Sequence, residues 1–136
     1  ILVLYVVIIF PTIVEGKENF QVPRFVSIKS SEVNVRTGPN VRYPIKWIYI
    51  KKGEPVEILA EFDNWRKIRD ILGEDGWVHE SMLSGKRFVI IKGDEMVTLH
   101  KKNNPNSLKL ALMEPNVRAH LFLCKKEWCK IEANNL

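Results

Sequence analysis

The stretch Phe62-Asp-Asn-Trp-Arg-Lys-Ile-Arg-Asp-Ile-Leu-Gly-Glu-Asp-Gly-Trp-Val-His-Glu-Ser-Met-Leu83 decides the fold. It predicts a strand, a tight turn, a second strand, a charged loop, a short third strand and then a helical turn. Asp63-Asn64 can take the positive φ angles of a two-residue hairpin turn. Ile68 and Val78 are the expected inward residues. Trp65 and Trp77 are expected at strand starts, where a wide ring with one polar atom stands half in water.

Upstream, Phe25 to Lys29 reads as a short strand and Ser30-Ser31-Glu32 as a turn. Val33-Asn-Val-Arg36 alternates, with both valines inward, until Thr37-Gly38-Pro39-Asn40 breaks it with turn chemistry. Tyr43-Pro44 is extended, because proline disfavours the α region for the residue before it. Ile45 to Ile50 is apolar on both sides, with Ile45, Trp47 and Tyr49 sharing one. That suits a strand covered on both faces, or one with an aromatic binding face. Lys51-Lys52-Gly53-Glu54 is the next turn, and Val56, Ile58, Ala60 and Phe62 alternate down the strand after it. About five short strands without a helix-length period argue for a small all-β barrel or sandwich over residues 25–91. A barrel of that size buries a modest core.

The pattern recurs at offsets of 64 and then 63. Val97-Thr-Leu99 answers Val33-Asn-Val35, and Leu108, Leu110 and Leu112 supply an alternating strand. Glu114-Pro115-Asn116 stands where Lys52-Gly53 stood, and Trp128-Cys129-Lys130-Ile131 parallels Trp65-Arg66-Lys67-Ile68. Residues 92–136 are therefore expected to form a second, incomplete copy, without a counterpart of Gly76-Trp77-Val78 and with an unpaired edge. The simplest expectation is a chain truncated at both ends.

Residues 1–10 are apolar apart from the Tyr5 hydroxyl. The run is short for a bilayer span, which wants about 20 residues. It fits the apolar region of a secretory signal, with a cleavage point expected after Gly16. Residues 1–16 are expected to be a signal peptide or membrane anchor that begins part-way through, with a buried strand as the alternative. Residues 17–24 form a polar linker. Among the 136 residues, 21 bases stand against 16 acids. Removing residues 1–16 takes away only Glu15, which leaves a net charge of +6. That favours anionic surroundings, or serves solubility alone.

Catalytic signals are weak. His79, His100 and His120 lie 21 and 20 residues apart, without metal-ligand spacing. No Ser or Cys sits in a nucleophile motif. Asp70, Glu74 and Asp75 fall in a charged loop, where solvated acids are ordinary. The expectation is no enzyme, no cofactor and no metal. Cys124 and Cys129 flank the expected hairpin turn Lys125-Lys126-Glu127; a disulfide, free thiols and a metal site are all open, the disulfide favoured by export. The basic pairs are expected mostly at turns, and no nucleic-acid partner is expected.

Val33-Asn-Val-Arg-Thr-Gly-Pro39, Tyr43-Pro44 with Lys46-Trp47, Gly53-Glu-Pro-Val-Glu57, Glu61 to Asp70 and Gly76 to Arg87 together resemble the bacterial Src-homology-3-like domain family, of the exported tandem type. The resemblance covers most of residues 25–91. It is looser in the second copy, where His100 and Lys102 replace the Arg and Gly of the opening motif; Cys124 and Cys129 around Glu127-Trp128 are also familiar from second copies in this family. It implies a half-open barrel of about five strands with a 3₁₀ turn near Glu80-Ser81-Met82. It also implies an envelope location and a binding or scaffolding role without catalysis. The expected function is an exported, periplasmic or envelope module that associates with a cell-wall polymer, peptidoglycan or its peptide stems. The alternative is a periplasmic adaptor that holds an extended peptide of an envelope protein. A membrane enters only through residues 1–16, if they are retained. The expected ligand-binding residues are Tyr43, Tyr49, Trp65, Trp77, Arg36 and Arg69.

Overall fold

The structure is a computed structural model that describes residues 20–133. The expected signal or anchor over residues 1–16, and residues 17–19 of the expected linker, lie outside the described residues.

Twelve strands follow in order: β1 Arg24–Ile28, β2 Val33–Arg36, β3 Ile45–Tyr49, β4 Pro55–Phe62, β5 Trp65–Arg69, β6 Asp75–His79, β7 Leu83–Ser84, β8 Arg87–Ile90, β9 Val97–His100, β10 Lys109–Met113, β11 Arg118–Lys125 and β12 Trp128–Glu132. A 3₁₀ turn at Glu80–Met82 joins β6 to β7, capped by the His79 ring accepting from the Ser81 amide. The described residues hold no α-helix. The first seven strands form one antiparallel sheet in the order β3-β2-β6-β5-β4-β1-β7, curled into an open barrel.

Period-2 alternation explains the core. Val26, Ile28, Val33, Val35, Val56, Ile58, Ile68 and Val78 fill it, with Trp47, Tyr49, Met82 and Leu83 packed at its margin. Burying each aliphatic side chain contributes about 1.5–3 kcal/mol before conformational entropy is counted.

Two single-residue bulges correct the simple alternation. Leu59 is extra in β4, so Ile58 faces Ile68 but Ala60 faces Lys67 and Phe62 faces Trp65. Beyond Ile58 the expected inward set turns outward, and Phe62 is 61% exposed. Lys46 is extra in β3, which sets Ile45 opposite Arg36 while Trp47 stands opposite Val35. Ile45 therefore leaves the side it was expected to share with Trp47 and Tyr49. The strand is an outer edge of the sheet, and it is covered on one face only: Trp47 and Tyr49 pack on the core while Ile45 and Ile48 are exposed. At the hairpin, Asp63 alone of the turn pair has a positive φ, 50°. Trp65 opens β5 as expected, but Trp77 sits at the centre of β6.

Arg66 is one of two buried charges of the first unit, the other being Glu54. The sequence places Arg66 in a basic cluster; the pleat turns it inward opposite Glu61. Its guanidinium donates to the Asp63 and Trp65 carbonyls and pairs with Glu80 and Glu61, and Arg24 holds Glu61 at 2.7 Å.

Beyond β7 the same pairings return, in a second unit that starts at β8, whose residues were expected to close the first barrel. β8 lies on β11 as β1 lies on β4, and every Cα partner shifts by 63. β11 with β12 repeats β4 with β5 at 63, bulge included, and β9 with β10 repeats β2 with β3 at 64, bulge included. The turns agree as well. The Gly53 amide donates to the Ile28 carbonyl at 2.8 Å, and the Asn116 amide donates to the Ile91 carbonyl at 2.8 Å. Both turn residues have positive φ, 84° and 68°. Where Glu61 faces Arg66 in the first unit, Cys124 faces Cys129 in the second; their Cα atoms are 4.0 Å apart and the sulfurs are bonded. The units meet where Arg118 pairs with buried Glu54, Ser27 Oγ donates to the Lys86 carbonyl at 2.7 Å, and the Phe88 ring lies on Gly53.

The second unit buries only Met113, Ala119 and Ala133 among the described residues. The Cys124–Cys129 link closes a short loop, which limits its stabilising power. Opening this unit should therefore be the easier event. Native-state hydrogen exchange is expected to run more than about tenfold faster over residues 97–131 than over the strands of 33–83. Equal or better protection of 97–131 would show that buried area does not set the local stability here.

Candidate functional site

The outward face of β2, β6, β5 and β4 gathers most of the residues singled out from the sequence. Cross-strand pairing arranges them in rows. In the central row Arg36, Trp77, Lys67 and Ala60 stand side by side. Toward the hairpin lies the row His79, Trp65 and Phe62. On the other side lies the row Asp75, Arg69 and Glu57. Trp65 and Trp77 are thus diagonal neighbours on adjacent strands, within reach of one extended ligand.

Backbone and side-chain contacts fix this face. Gly76 beside Trp77 has no room for a side chain: a Cβ there would lie 2.4 Å from Val35 Cγ1 and 3.1 Å from the Arg36 carbonyl oxygen. The close approach of β6 to β2 sets where Trp77 stands. Arg36 Nη1 donates to the carbonyls of Val41 (3.1 Å) and Tyr43 (2.9 Å), which ties the loop after β2 to the strand. The Tyr43 ring lies on Gly38, where an added Cβ would come within 2.5 Å of the ring. Tyr43 is 46% exposed. Trp65 meets the His79 ring edge-on at 5.5 Å. Lys46 lies 5.0 Å from the Trp47 ring centre, a cation over an aromatic face.

The charged row is already engaged. Arg69 donates to Glu57 at 2.9 Å, and Asp75 holds Lys46 and Lys67 at 3.5 and 3.6 Å. These are exposed or half-exposed pairs that a carboxylate ligand can compete for. Asp70 is occupied differently. It accepts from the Leu72 and Glu74 amides and, at 2.9 Å, from the Tyr49 hydroxyl. The three acids of this loop do not converge on a cleft.

Tyr49 departs from the expected set. It pairs with Val33, whose side chain is in the core, so it lies on the core side of the sheet and away from Trp77. Burial, and then the bond to Asp70, raise its pKa well above the ordinary tyrosine value. Its hydroxyl is a structural donor. The structure therefore brings Arg36, Trp77 and Trp65 to one surface, with Tyr43 on the loop that Arg36 holds, Arg69 at the margin and Tyr49 behind. Lys67, His79 and Phe62 belong to the same surface and were not singled out from the sequence. Period-2 counting from Trp65 and Trp77 would have found the first two; Phe62 needed the bulge.

Such a surface is a shelf rather than a cavity. It offers ring faces for stacking and cationic donors for carboxylates, and it fits a flat or extended polar ligand. Among the described residues, no three His, Cys, Asp or Glu side chains are grouped to hold a metal ion.

A family model described as "Bacterial SH3 domain" matches residues 29–85, which begin just after β1 and include β2 to β7. The "Putative N-acetylmuramoyl-L-alanine amidase YrvJ" of Bacillus subtilis (strain 168) is 45% identical over 51 residues. That match covers 38% of this chain and 10% of the amidase, so the chain spans a small part of that relative's length.

Proposed function

With residues 29–85 a bacterial SH3 domain, we propose that the chain is a non-catalytic, exported binding module that associates with peptidoglycan through its peptide stems. The observation that carries this reading is the central row of the barrel's outer face, where Trp77 stands between Arg36 and Lys67. A ring flanked by two cations suits a stem peptide, which combines flat amide planes with free carboxylates. The likeness to a short part of an N-acetylmuramoyl-L-alanine amidase supports a wall polymer as the ligand class. The charge balance, +5 for the whole sequence, supports an anionic one.

A second reading has its own observation. β3 is an outer strand whose Ile45 and Ile48 are each 45% exposed, with Ile50 beyond it at 77%. An open, apolar edge can add an extended peptide of an envelope protein by strand pairing. Sedimentation with purified wall sacculi separates the two. The wall reading expects the protein in the pellet, released by soluble stem peptide and by raised salt. A protein that stays in the supernatant at low salt removes the wall reading and leaves the adaptor.

A further inference from the structure

We propose that the ring row Phe62, Trp65 and His79 is a saccharide subsite, so that the ligand of the shelf is a stem peptide still joined to its glycan rather than a free peptide. The inference rests on the wall-binding reading and sharpens it. Composition singles the row out first. It puts two aromatic rings and an imidazole side by side on β4, β5 and β6. The rows beyond it carry Arg36 and Lys67, and then Glu57, Arg69 and Asp75. Uncharged rings offer a carboxylate little. They suit a pyranose, which shows an apolar C–H face to a ring and hydroxyls around its rim. Asn34 shares the outward face of β2 with Arg36, and antiparallel pairing sets it toward His79. Its exposed amide can both donate and accept, as sugar hydroxyls require.

Dimensions agree. Three neighbouring strands span on the order of 10 Å, and successive rows lie about 7 Å apart along the strands. A short saccharide laid across the ring row therefore delivers an attached peptide onto Trp77, Arg36 and Lys67. Rigidity agrees as well. Buried Arg66 lies beneath the row and donates to the Asp63 and Trp65 carbonyls at 2.8 and 2.9 Å and to Glu80 at 2.5 Å. The Glu80 amide in turn donates to the Asn64 carbonyl at 2.8 Å. The hairpin that carries Phe62 and Trp65 is thus tied to the 3₁₀ turn that follows His79. The His79 ring is itself fixed. Its Nδ1 accepts from the Ser81 amide at 3.2 Å, which leaves the ring proton on Nε2 as a donor. Rings already held in place lose little entropy on binding.

The test compares, by calorimetry on the full chain, two ligands cut from the same sacculi. One is the stem peptide with its disaccharide, released by a muramidase; the other is the stem peptide alone, released by an amidase. The glycan-bearing form is expected to bind at least about tenfold more tightly, in the range of a well-placed aromatic contact. Phe62→Ala and Trp65→Ala should each bring that ratio below about threefold. Lys67→Ala, in the central row, should weaken both ligands and keep the ratio. Partial unfolding lowers both affinities alike and does not move the ratio, so a structural defect is not mistaken for a lost subsite. Equal affinities of the wild type for both ligands overturn the subsite and leave the wall reading standing. A preference that neither ring substitution reduces also overturns it, because the sugar then lies elsewhere. If neither ligand binds, the subsite and the wall reading fall together.

Discussion

Gly76→Ala is expected to destabilise the first barrel by about 2–3 kcal/mol, and Gly76→Val to prevent its folding. The reason is local. The added Cβ would lie 2.4 Å from Val35 Cγ1 and 3.1 Å from the Arg36 carbonyl oxygen, and neither can withdraw cheaply. Val35 is fully buried in the core, and Arg36 is held to the loop by two hydrogen bonds. Relief therefore requires β6 to move off β2, which carries Trp77 and Val78 with it. Urea unfolding followed by tryptophan emission reads the loss. A double-mutant cycle identifies its cause: Val35→Ala costs stability in the wild type through a cavity, but should cost much less beside Gly76→Ala, where the vacated methyl makes room. If Gly76→Ala unfolds within about 0.5 kcal/mol of the wild type, the close approach is not what fixes β6.

Much of this architecture was legible because alternation and turns are local. Ile68 and Val78 could be placed inward from the pleat alone, and both are fully buried. The offsets of 64 and 63 between matching side chains are the offsets at which the backbone pairings recur. What the sequence hid has two physical origins. A bulge inserts one residue without any mark in composition, so Leu59 and Lys46 reassign every side chain beyond them to the other face. That is why Phe62 and Ile45 are outside. The other origin is long-range pairing. Arg66 reads as one of three clustered bases, yet its partner Glu80 comes from the 3₁₀ turn after β6. Glu54 reads only as part of a turn, yet it is buried against Arg118 of the second unit. The candidate site divides along the same lines. Trp65 and Trp77 were visible as half-buried rings, whereas the separation of Tyr49 from them depended on which strand it paired with.

Trp77→Ala is expected to lower sacculus binding by about 30-fold or more, the effect of losing a central tryptophan anchor worth about 2 kcal/mol or more. Its position justifies that magnitude. Trp77 is half-buried at the middle of the shelf, with Arg36 and Lys67 as cross-strand neighbours and Trp65 on the diagonal. A ring so placed needs little reordering to bind, so little of its contact energy is lost to entropy. Because the ring faces outward, the substitution should leave the core of the barrel intact, and unfolding measurements check that the loss is one of binding. Tyr49→Phe is the matched control. It removes the hydroxyl bonded to Asp70 on the core side and should leave sedimentation unchanged while slightly lowering stability. Tyr43→Ala should weaken binding less than Trp77→Ala, because Tyr43 lies on the loop that Arg36 holds rather than in the central row. Salt gives a further constraint. If Arg36 and Lys67 meet ligand carboxylates, raising ionic strength should weaken the wild type, and the residual binding of Trp77→Ala should keep the same sensitivity. A folded Trp77→Ala protein that sediments like the wild type would move the contact off this face and toward the open edge at β3.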